Sequence, residues 1–454
     1  MPYILSLNCG SSSVKSKLFS IPADSSPPSA SEHDLLSTLK LIATADAGNI
    51  GAKGKDVEIE LSWVDKKDAG QTVKKKQDEV EYTDIIPIIL DLLTKENKDN
   101  GPSLDKKELR YVTHRIVHGS THTSPITVTK KHQEGLKEME KLSEFAPLHN
   151  HNAVLAIQAT IDALPESTSI LLFDTLFHQT LGPEIYTYAV PDIGHKTPVP
   201  LRKYGFHGLS YASVLRSIAN HLKQDQSDVN AVVCHLGSGG SVCMIQDGQS
   251  KDTSMGLTPL EGLVGGTRSG SIDPTLIFHH TPDCAENALD KSDGRFISKA
   301  EMVLNKQSGL TALAGTSDFG TITTRMTNPS SCSQEEHEAS TLAYKVYLDR
   351  LLHFLSFYLF KLKAHSHQSG GSEPIIVFSG GIGEKGAALR ADVMRSLGWM
   401  GVHYGDEELG RNKLNKGEGV KEITTNKAKG PRVFAVETDE EVQCALMARK
   451  ELGV

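Results

Sequence analysis

The sequence predicts an α/β chain built from two related halves, and three observations carry that expectation. Short β-rich runs at Tyr3 to Leu7, Ala231 to Cys234 and Ile375 to Phe378 are each followed at once by small or glycine-rich residues. Helical patterns lie between them, at Asn152 to Leu164, Ser210 to Leu222 and Glu338 to Leu362, and this alternation argues for an α/β architecture. Residues 3 to 19, YILSLNCGSSSVKSKLF, and residues 231 to 245, AVVCHLGSGGSVCMI, share one plan: apolar strand, polar residue, Gly and Ser turn, Ser-Val, second apolar strand.

A chain of 454 residues can bury large cores in two or three domains, of which two are expected. With 38% hydrophobic and 23% charged residues the composition is that of an ordinary globular protein. The formal net charge of -8 leaves no electrostatic footprint for nucleic acid, so any phosphate-binding charge must be local. Six cysteines (Cys9, Cys234, Cys243, Cys284, Cys332, Cys444) form no CxxC pair, which fits reduced thiols in a cytoplasmic protein better than a disulfide framework or zinc site. The start, MPYILSLNCG, has neither the basic nor the long apolar region of a signal peptide, so the protein is expected to stay where it is made. The apolar stretch from Leu342 to Leu362 carries Lys345, Asp349, Arg350 and His353 and reads as an amphipathic or buried helix, not a membrane span. Gly51 to Asp78, rich in Lys and Asp, reads as a solvated hairpin or insertion loop, and Glu407 to Lys429 likewise.

The two echoing segments read as β-hairpins whose turns expose backbone N–H groups and hydroxyls, a concave nest suited to phosphate oxygens; ordinary hairpin turns are the alternative. No GxxxxGK[ST] occurs, which disfavours a P-loop ATPase. A GxGxxG does occur at Gly381, Gly383 and Gly386, with Asp406 or Glu407 about 20 residues further on. It would serve a dinucleotide or, equally, an adenosine at a strand-to-helix turn. Basic and imidazole groups cluster at Thr113 to Gly119 (THRIVHG), Tyr204 to Gly208 (YGFHG) and Gly265 to Gly270 (GGTRSG). The planar fork of arginine matches phosphoryl and carboxylate oxygens, so Arg115 and Arg268 are candidates for a phosphotransferase site, against the alternative of structural ion pairs. His114 and His118 lack the acidic or thiol spacing of a zinc site, and a donor role towards a phosphoryl group is the reading preferred for them. Asp174 ends an apolar run and would sit at the mouth of a sheet, or merely cap a turn. Thr438 and Glu441 satisfy a capping-box pattern as N-cap and N3, leaving Glu440 to hold magnesium, through water.

Taken in order from Leu7 to Glu441, the segments LNCGSSSVKSKLF, RIVHG, APLHN, FDTLFHQT, YGFHGLSY, HLGSGGS, DTSMGLTPLEGLVGGTRSGSIDP, FSGGIGEKG and ETDEE resemble the acetate kinase family. The resemblance implies two related actin-like, ribonuclease H-like α/β domains flanking an ATP cleft, as in sugar kinases, Hsp70 and actin. It also implies a homodimer using Mg²⁺ or Mn²⁺, with ATP and acetate as substrates and no membrane or nucleic-acid partner. Residues 1–175 with 438–454 would form an N-terminal domain with a closing helix, and residues 176–437 the nucleotide-binding domain.

Carried over by position, phosphate and metal contacts fall on Asn8, Ser11, Ser13, Lys15 and Glu440, the catalytic groups on Arg115, Asp174, His207 and Arg268, and further active-site histidines on His149 and His235. The acetate pocket falls on Val117, Leu148, Phe206 and Pro259 beside Arg115, and nucleotide contacts on Gly237, Ser238, Gly239, Asp318, Gly381, Ile382 and Gly383. The implied reaction is reversible in-line transfer between ATP and acetate, giving acetyl phosphate and ADP. Three residues depart from the family pattern: Ser238 and Lys385 stand where Asn is usual and Gly320 where Arg is usual. All three fall on the nucleotide side, which keeps a pyrophosphate-dependent acetate kinase, beside a propionate or butyrate kinase, among the alternatives.

Overall fold

The computed structural model describes residues 2–10, 13–22, 32–50, 55–64, 66–76, 80, 82–94, 104–145, 147–191, 197, 199–290, 295–402, 412–424 and 430–454. Ser11, Asp406, Glu407 and the side chains of Leu148 and His149 lie outside what is described. Contacts divide the chain into two compact units, one of Met1–Leu176, Gly194–Pro200 and Asp439–Val454, the other of Phe177–Ile193 and Leu201–Thr438.

The first unit holds an eight-stranded sheet of β1 (Tyr3–Cys9), β2 (Val14–Ser20), β3 (Lys40–Gly48), β4 (Val57–Trp63), β5 (Lys66–Lys75), β6 (Leu109–Ile116), β7 (Ile126–Val128) and β8 (Thr168–Phe173), in the order β5-β4-β3-β2-β1-β6-β8-β7. β1 pairs antiparallel with β2 and parallel with β6, which in turn runs parallel to β8. Alternation decides what each face meets. Leu5 and Leu7 join a core with Ile85, Ile86 and Ile89 of the helix Tyr82–Thr94, while Ile4 and Phe19 pack on Ala445 of the helix Glu440–Leu452.

The second unit repeats this plan. β9 (Ala231–His235), β10 (Ser241–Gln246), β11 (Gln249–Thr253), β14 (Ile375–Ser379), β15 (Val420–Glu422) and β16 (Val433–Val436) lie in the order β11-β10-β9-β14-β16-β15, and β12 (Asn287–Asp290) pairs with β13 (Arg295–Ser298) in a separate hairpin. β9 pairs antiparallel with β10 and parallel with β14, and β14 runs parallel to β16, as β1 does with β2 and β6 and as β6 does with β8. Val232, Cys234, Ile376 and Phe378 face the helix Gln334–Ser369, whereas Val233, Cys243, Val377 and Phe434 face the helix Gly208–Leu222. The two expected hairpins and the two related α/β halves are therefore present.

Three expectations need correction. The stretch from 51 to 78 does hold the expected hairpin, β4 antiparallel to β5, but it is not merely solvated, because Val57, Ile59, Leu61 and Trp63 alternate inward from β4 and are part of the core; charge counting hid a period-two pattern. The long helix runs from Gln334 to Ser369, beyond Glu338 to Leu362 at both ends, because Ser333 and Glu336 form a capping box and Gly370 closes it in the left-handed conformation. The helix Glu440–Leu452 is capped by Asp439, which accepts from the Val442 N–H at 3.0 Å, and not by Thr438. The carboxylate is the stronger acceptor beside a helix N-terminus, and Thr438 instead gives its N–H and hydroxyl to Glu384 at 3.1 and 3.2 Å.

Candidate active site

In the first unit the parallel strands β1, β6 and β8 deliver polar residues at their C-terminal ends, where an open α/β sheet leaves room for a ligand. Asn8, Arg115 and Asp174 occupy these ends, and the N-terminus of the helix Glu440–Leu452 adds two carboxylates. Arg115 grips Asp174 with both arms of its fork, Nε to Oδ1 at 3.1 Å and Nη2 to Oδ2 at 2.8 Å. Its third nitrogen, Nη1, donates to Asn8 Oδ1 at 3.1 Å and lies 3.5 Å from Glu440 Oε2. Asn8 Nδ2 donates to Glu440 at 2.6 Å and to Glu441 at 3.1 Å. Burial alone would weaken the charge of Arg115, but Asp174 and Glu440 outweigh it and hold the guanidinium pKa above its ordinary value. Burial, with the neighbouring Glu440 charge, raises the pKa of Glu441.

Lys17, two residues beyond the expected Lys15 on β2, completes the cluster through Asp439 at 2.6 Å and Glu441 at 3.9 Å. Sequence reading missed it, although an i, i+2 step keeps both lysines on one face of the strand. Lys15 itself is exposed and paired in register with Asn8, and Ser13 accepts the Gly10 N–H through its carbonyl at 2.8 Å. Val117 is half-buried just past β6. The donor role expected of His114 does not stand: the ring is buried inside the sheet beside Ser169 at 3.2 Å, and burial pushes its pKa down to about 3. His118 is likewise buried, and its Nδ1 accepts the Ser120 N–H at 3.0 Å. A neutral, enclosed imidazole cannot reach a ligand.

In the second unit His207 stands immediately before the helix Gly208–Leu222 with φ of 59°, a left-handed backbone that a non-glycine residue seldom adopts. Its Nδ1 lies 2.8 Å from Ser241 Oγ, which also contacts the hydroxyl of Tyr211, and its ring is 4.5 Å from that of His235. Ser241 and Tyr211 were not anticipated as parts of the site. A side chain at Gly239 would place its Cβ 3.1 Å from Arg268 Nη1 and 4.0 Å from His207 Nε2, so the hairpin turn, the guanidinium and the imidazole converge at this glycine. The Arg268 guanidinium has no hydrogen-bond or ion-pair partner among the described residues, and burial pulls its pKa down. Its loop is well held, with the Gly266 N–H on the Ser238 carbonyl at 2.7 Å and the Gly265 N–H on the Arg268 carbonyl at 3.0 Å. Phe206 and Pro259 are buried, and the Phe206 carbonyl accepts from His178 at 3.0 Å.

Beside this turn is a cavity of about 610 Å³. Gly237, Ser238, Asp318, Gly381 and Ile382 line it, and so do Gly320 and Lys385, so the three departures share one cavity. Its size suits a nucleotide. Gly383 is buried behind the wall, and Asp318 caps the helix Phe319–Thr327 by accepting from Thr321 N–H at 2.7 Å.

The acetokinase family model matches residues 3–446. A probable acetate kinase of Cryptococcus neoformans var. neoformans serotype D (strain B-3501A) is 52% identical over 457 residues, covering 99% of this chain and 98% of its own length. Among solved structures, the acetate kinase of Porphyromonas gingivalis is similar with a TM-score of 0.72 and 28% identity over 98% of each chain. A propionate kinase from Francisella tularensis subsp. tularensis SCHU S4 gives 0.75 and 29% over 98% of this chain and 99% of its own. With strand ends and glycine turns of this kind and a family match along nearly its whole length, the chain belongs to the acetokinase family, kinases that pass a phosphoryl group to a carboxylate.

Proposed function

We propose that this chain is an acetate kinase: an acetate oxygen attacks the γ-phosphorus of ATP in line, the bond to the β-phosphate oxygen breaks, and acetyl phosphate and ADP result, with the reverse equally open. The observation that carries this reading is Arg268, a guanidinium without a partner among the described residues and held against a glycine turn and a histidine, in a member of the acetokinase family. A half-buried cation with no counter-charge is costly, and a phosphoryl group would complete it. Acetate is already nucleophilic at neutral pH, so the site needs no general base and works by positioning and charge neutralisation.

The roles follow from the chemistry of each group. Arg268 takes phosphoryl oxygens. If the Tyr211 hydroxyl donates to Ser241 and Ser241 to His207 Nδ1, the imidazole proton rests on Nε2, beside Arg268, as a donor to an equatorial oxygen. Arg115, oriented by Asp174, serves the acceptor side with Val117 near it in sequence on the same unit, and the family resemblance makes Leu148, Phe206 and Pro259 the other candidates for an apolar acetate pocket. The cavity beside Gly237 takes the nucleotide, with Gly381 and Ile382 towards the adenosine, within the 176–437 domain.

The family implies magnesium. Among the described residues no group of three His, Cys, Asp or Glu side chains forms a metal cage. Magnesium in phosphoryl transfer asks for less, one or two protein oxygens with water and phosphate making up the rest. Asn8 and Glu440, half-buried and hydrogen-bonded to each other, fit that demand. The ion, held there, would supply neutralisation of the charge on the phosphoryl group in transfer.

A cytoplasmic homodimer completes the proposal. All six cysteines are free, and no helix among the described residues is long and apolar enough to cross a membrane. Leu289 and Phe296, paired across the β12–β13 hairpin, and nearby-in-sequence Phe278 are exposed apolar groups that a second copy would cover. The resemblance to a propionate kinase structure favours propionate as the second reading of the acceptor. Initial rates for ATP, GTP and pyrophosphate against acetate, propionate and butyrate test both. ATP with acetate is expected to give the highest kcat/KM; a higher value for propionate or butyrate overturns the acceptor, and one for pyrophosphate overturns the donor.

A further inference from the structure

We propose that Arg390 and Asn412 form a buried clamp that sets the shape of the segment lining the nucleotide cavity, and so act as positioning residues for the phosphoryl donor; this rests on the donor reading of that cavity. Gly381, Ile382, Lys385 and Gly386 belong to the cavity wall, on a short helix, Gly380–Lys385, that breaks at Gly386 before a second, Ala387–Ser396. The break is tight, because a Cβ at Gly386 would meet the Ile382 carbonyl at 2.5 Å. A broken helix leaves backbone groups without their usual partners. One side of the segment is tied to the sheet, where the N–H groups of Ile382 and Gly383 reach the Leu236 carbonyl at 2.8 and 3.2 Å.

The clamp ties the other side. Arg390 Nη1 donates to the Gly383 carbonyl, Nη2 to the Asn412 backbone carbonyl, and Nε to Asn412 Oδ1 at 2.8 Å. Asn412 Nδ2 then donates to the Ala387 carbonyl at 2.7 Å. Two side chains thus hold carbonyls on both flanks of the break, at Gly383 and at Ala387. Both residues are 1% exposed, and Arg390 heads the largest fully buried side chains of the protein. Full burial of a guanidinium is an expensive way to fill a core, which apolar groups fill better. It makes sense where a fixed planar fork must hold three acceptors at once, and lysine has no such fork. One acceptor, the Gly383 carbonyl, belongs to the segment that lines the donor cavity, and Asn412, which supplies the other two, bonds back to the lining residue Ala387, so what the fork fixes is the wall against which a nucleotide would lie.

The test uses the full-length enzyme with three variants, Arg390→Met, Arg390→Lys and Asn412→Ala, each checked for native circular dichroism at the assay temperature. A misplaced ligand costs rate or affinity steeply, so Arg390→Met is expected to raise KM for ATP and Kd for ADP by about tenfold or more. KM for acetate and kcat at saturation should stay within about twofold, and Arg390→Lys should recover little. Asn412→Ala keeps its backbone carbonyl and should show a smaller rise in the same two quantities; it decides the matter if Arg390→Met does not fold. A lowered Tm with unchanged ADP affinity would make the clamp merely structural and overturn the proposal, as would equal losses towards ATP and acetate. If the wild type forms no acetyl phosphate from any nucleotide, the donor reading has failed, which is a different result from an active wild type and an unaltered variant.

Discussion

Removing either candidate active-site arginine should lower turnover sharply, yet the two removals should move stability in opposite directions. Arg115 is bonded through both arms to Asp174, which is wholly buried, and it also faces Glu440. Arg115→Met takes the fork from a buried carboxylate, a change that costs about 3–5 kcal/mol when a pair is fully buried. With Arg115 16% exposed the lower end applies, about 3 kcal/mol, or roughly a 6–12 °C fall in the melting temperature of a unit of this size. Arg268 has no such partner among the described residues and suffers desolvation alone. Arg268→Met keeps the volume and removes the charge, so the resting protein should gain about 1 kcal/mol, a rise of roughly 2–4 °C. Both variants should lose about 10²-fold or more in acetyl phosphate formation. Calorimetric melting without nucleotide, beside initial rates, checks the pair. A clear drop in melting temperature for Arg268→Met would mean that the guanidinium is satisfied in the resting protein, and the anion-site argument would fall with it.

Other consequences follow from single contacts. Asp439→Ala should cost about 1 kcal/mol through the lost helix cap, more than Thr438→Ala, whose side chain is not the cap; equal urea midpoints would restore the Thr438 assignment. His114 and His178, with pKa values lowered by burial to about 3 and about 4, must remain neutral in the fold. The unfolded chain takes up their protons from about pH 6.5 downwards, so their stabilisation is complete above that pH. It declines towards pH 4 by about 1.4 kcal/mol per pH unit and per histidine. Urea unfolding from pH 6.5 to 5 should show this slope, and His114→Phe should remove its own share; an unchanged slope refutes the linkage. Gly239→Val should push Arg268 aside and raise KM for ATP far more than KM for acetate, as steady-state kinetics can show. Phe296→Asp should yield a monomer by light scattering if the β12–β13 hairpin is covered in a homodimer, and an unchanged mass would locate any interface elsewhere.

What the sequence disclosed depended on how locally the information was written. The hairpins were legible because strand, glycine turn and returning strand are contiguous, and Arg115, Asp174 and Arg268 because each stands at a strand end or among glycines. The β4 strand was legible in principle, since Val57, Ile59, Leu61 and Trp63 alternate with Glu58, Glu60 and Ser62, but the charged flanks outweighed the period. The hold of Lys17 on Asp439 joins residues 422 positions apart, and its one local mark was the i, i+2 step from Lys15. The Arg390 to Asn412 clamp is similar in kind, since a buried arginine looks like any other in a helical pattern until its acceptors are known.

The repeated strand plan makes the differences between the halves informative. At the end of β1 and its parallel neighbours β6 and β8, an arginine is balanced by Asp174 and Glu440, so charges are satisfied within the protein and the amide of Asn8 is oriented by them. The corresponding β9 leads instead into Gly237 and Gly239, beside an arginine that no described carboxylate balances and a histidine backed by Ser241. A balanced cluster keeps its geometry when empty, because each charge already has its counter-charge. An unbalanced cation in a partly dry site waits for an anion, and it gains most from the group carrying most charge. By that reasoning the second half suits the phosphoryl group, whose charge redistributes during transfer, and the first half suits the smaller and less charged acceptor and its metal. The opposite stability signs expected of the two arginines are the direct physical expression of that difference.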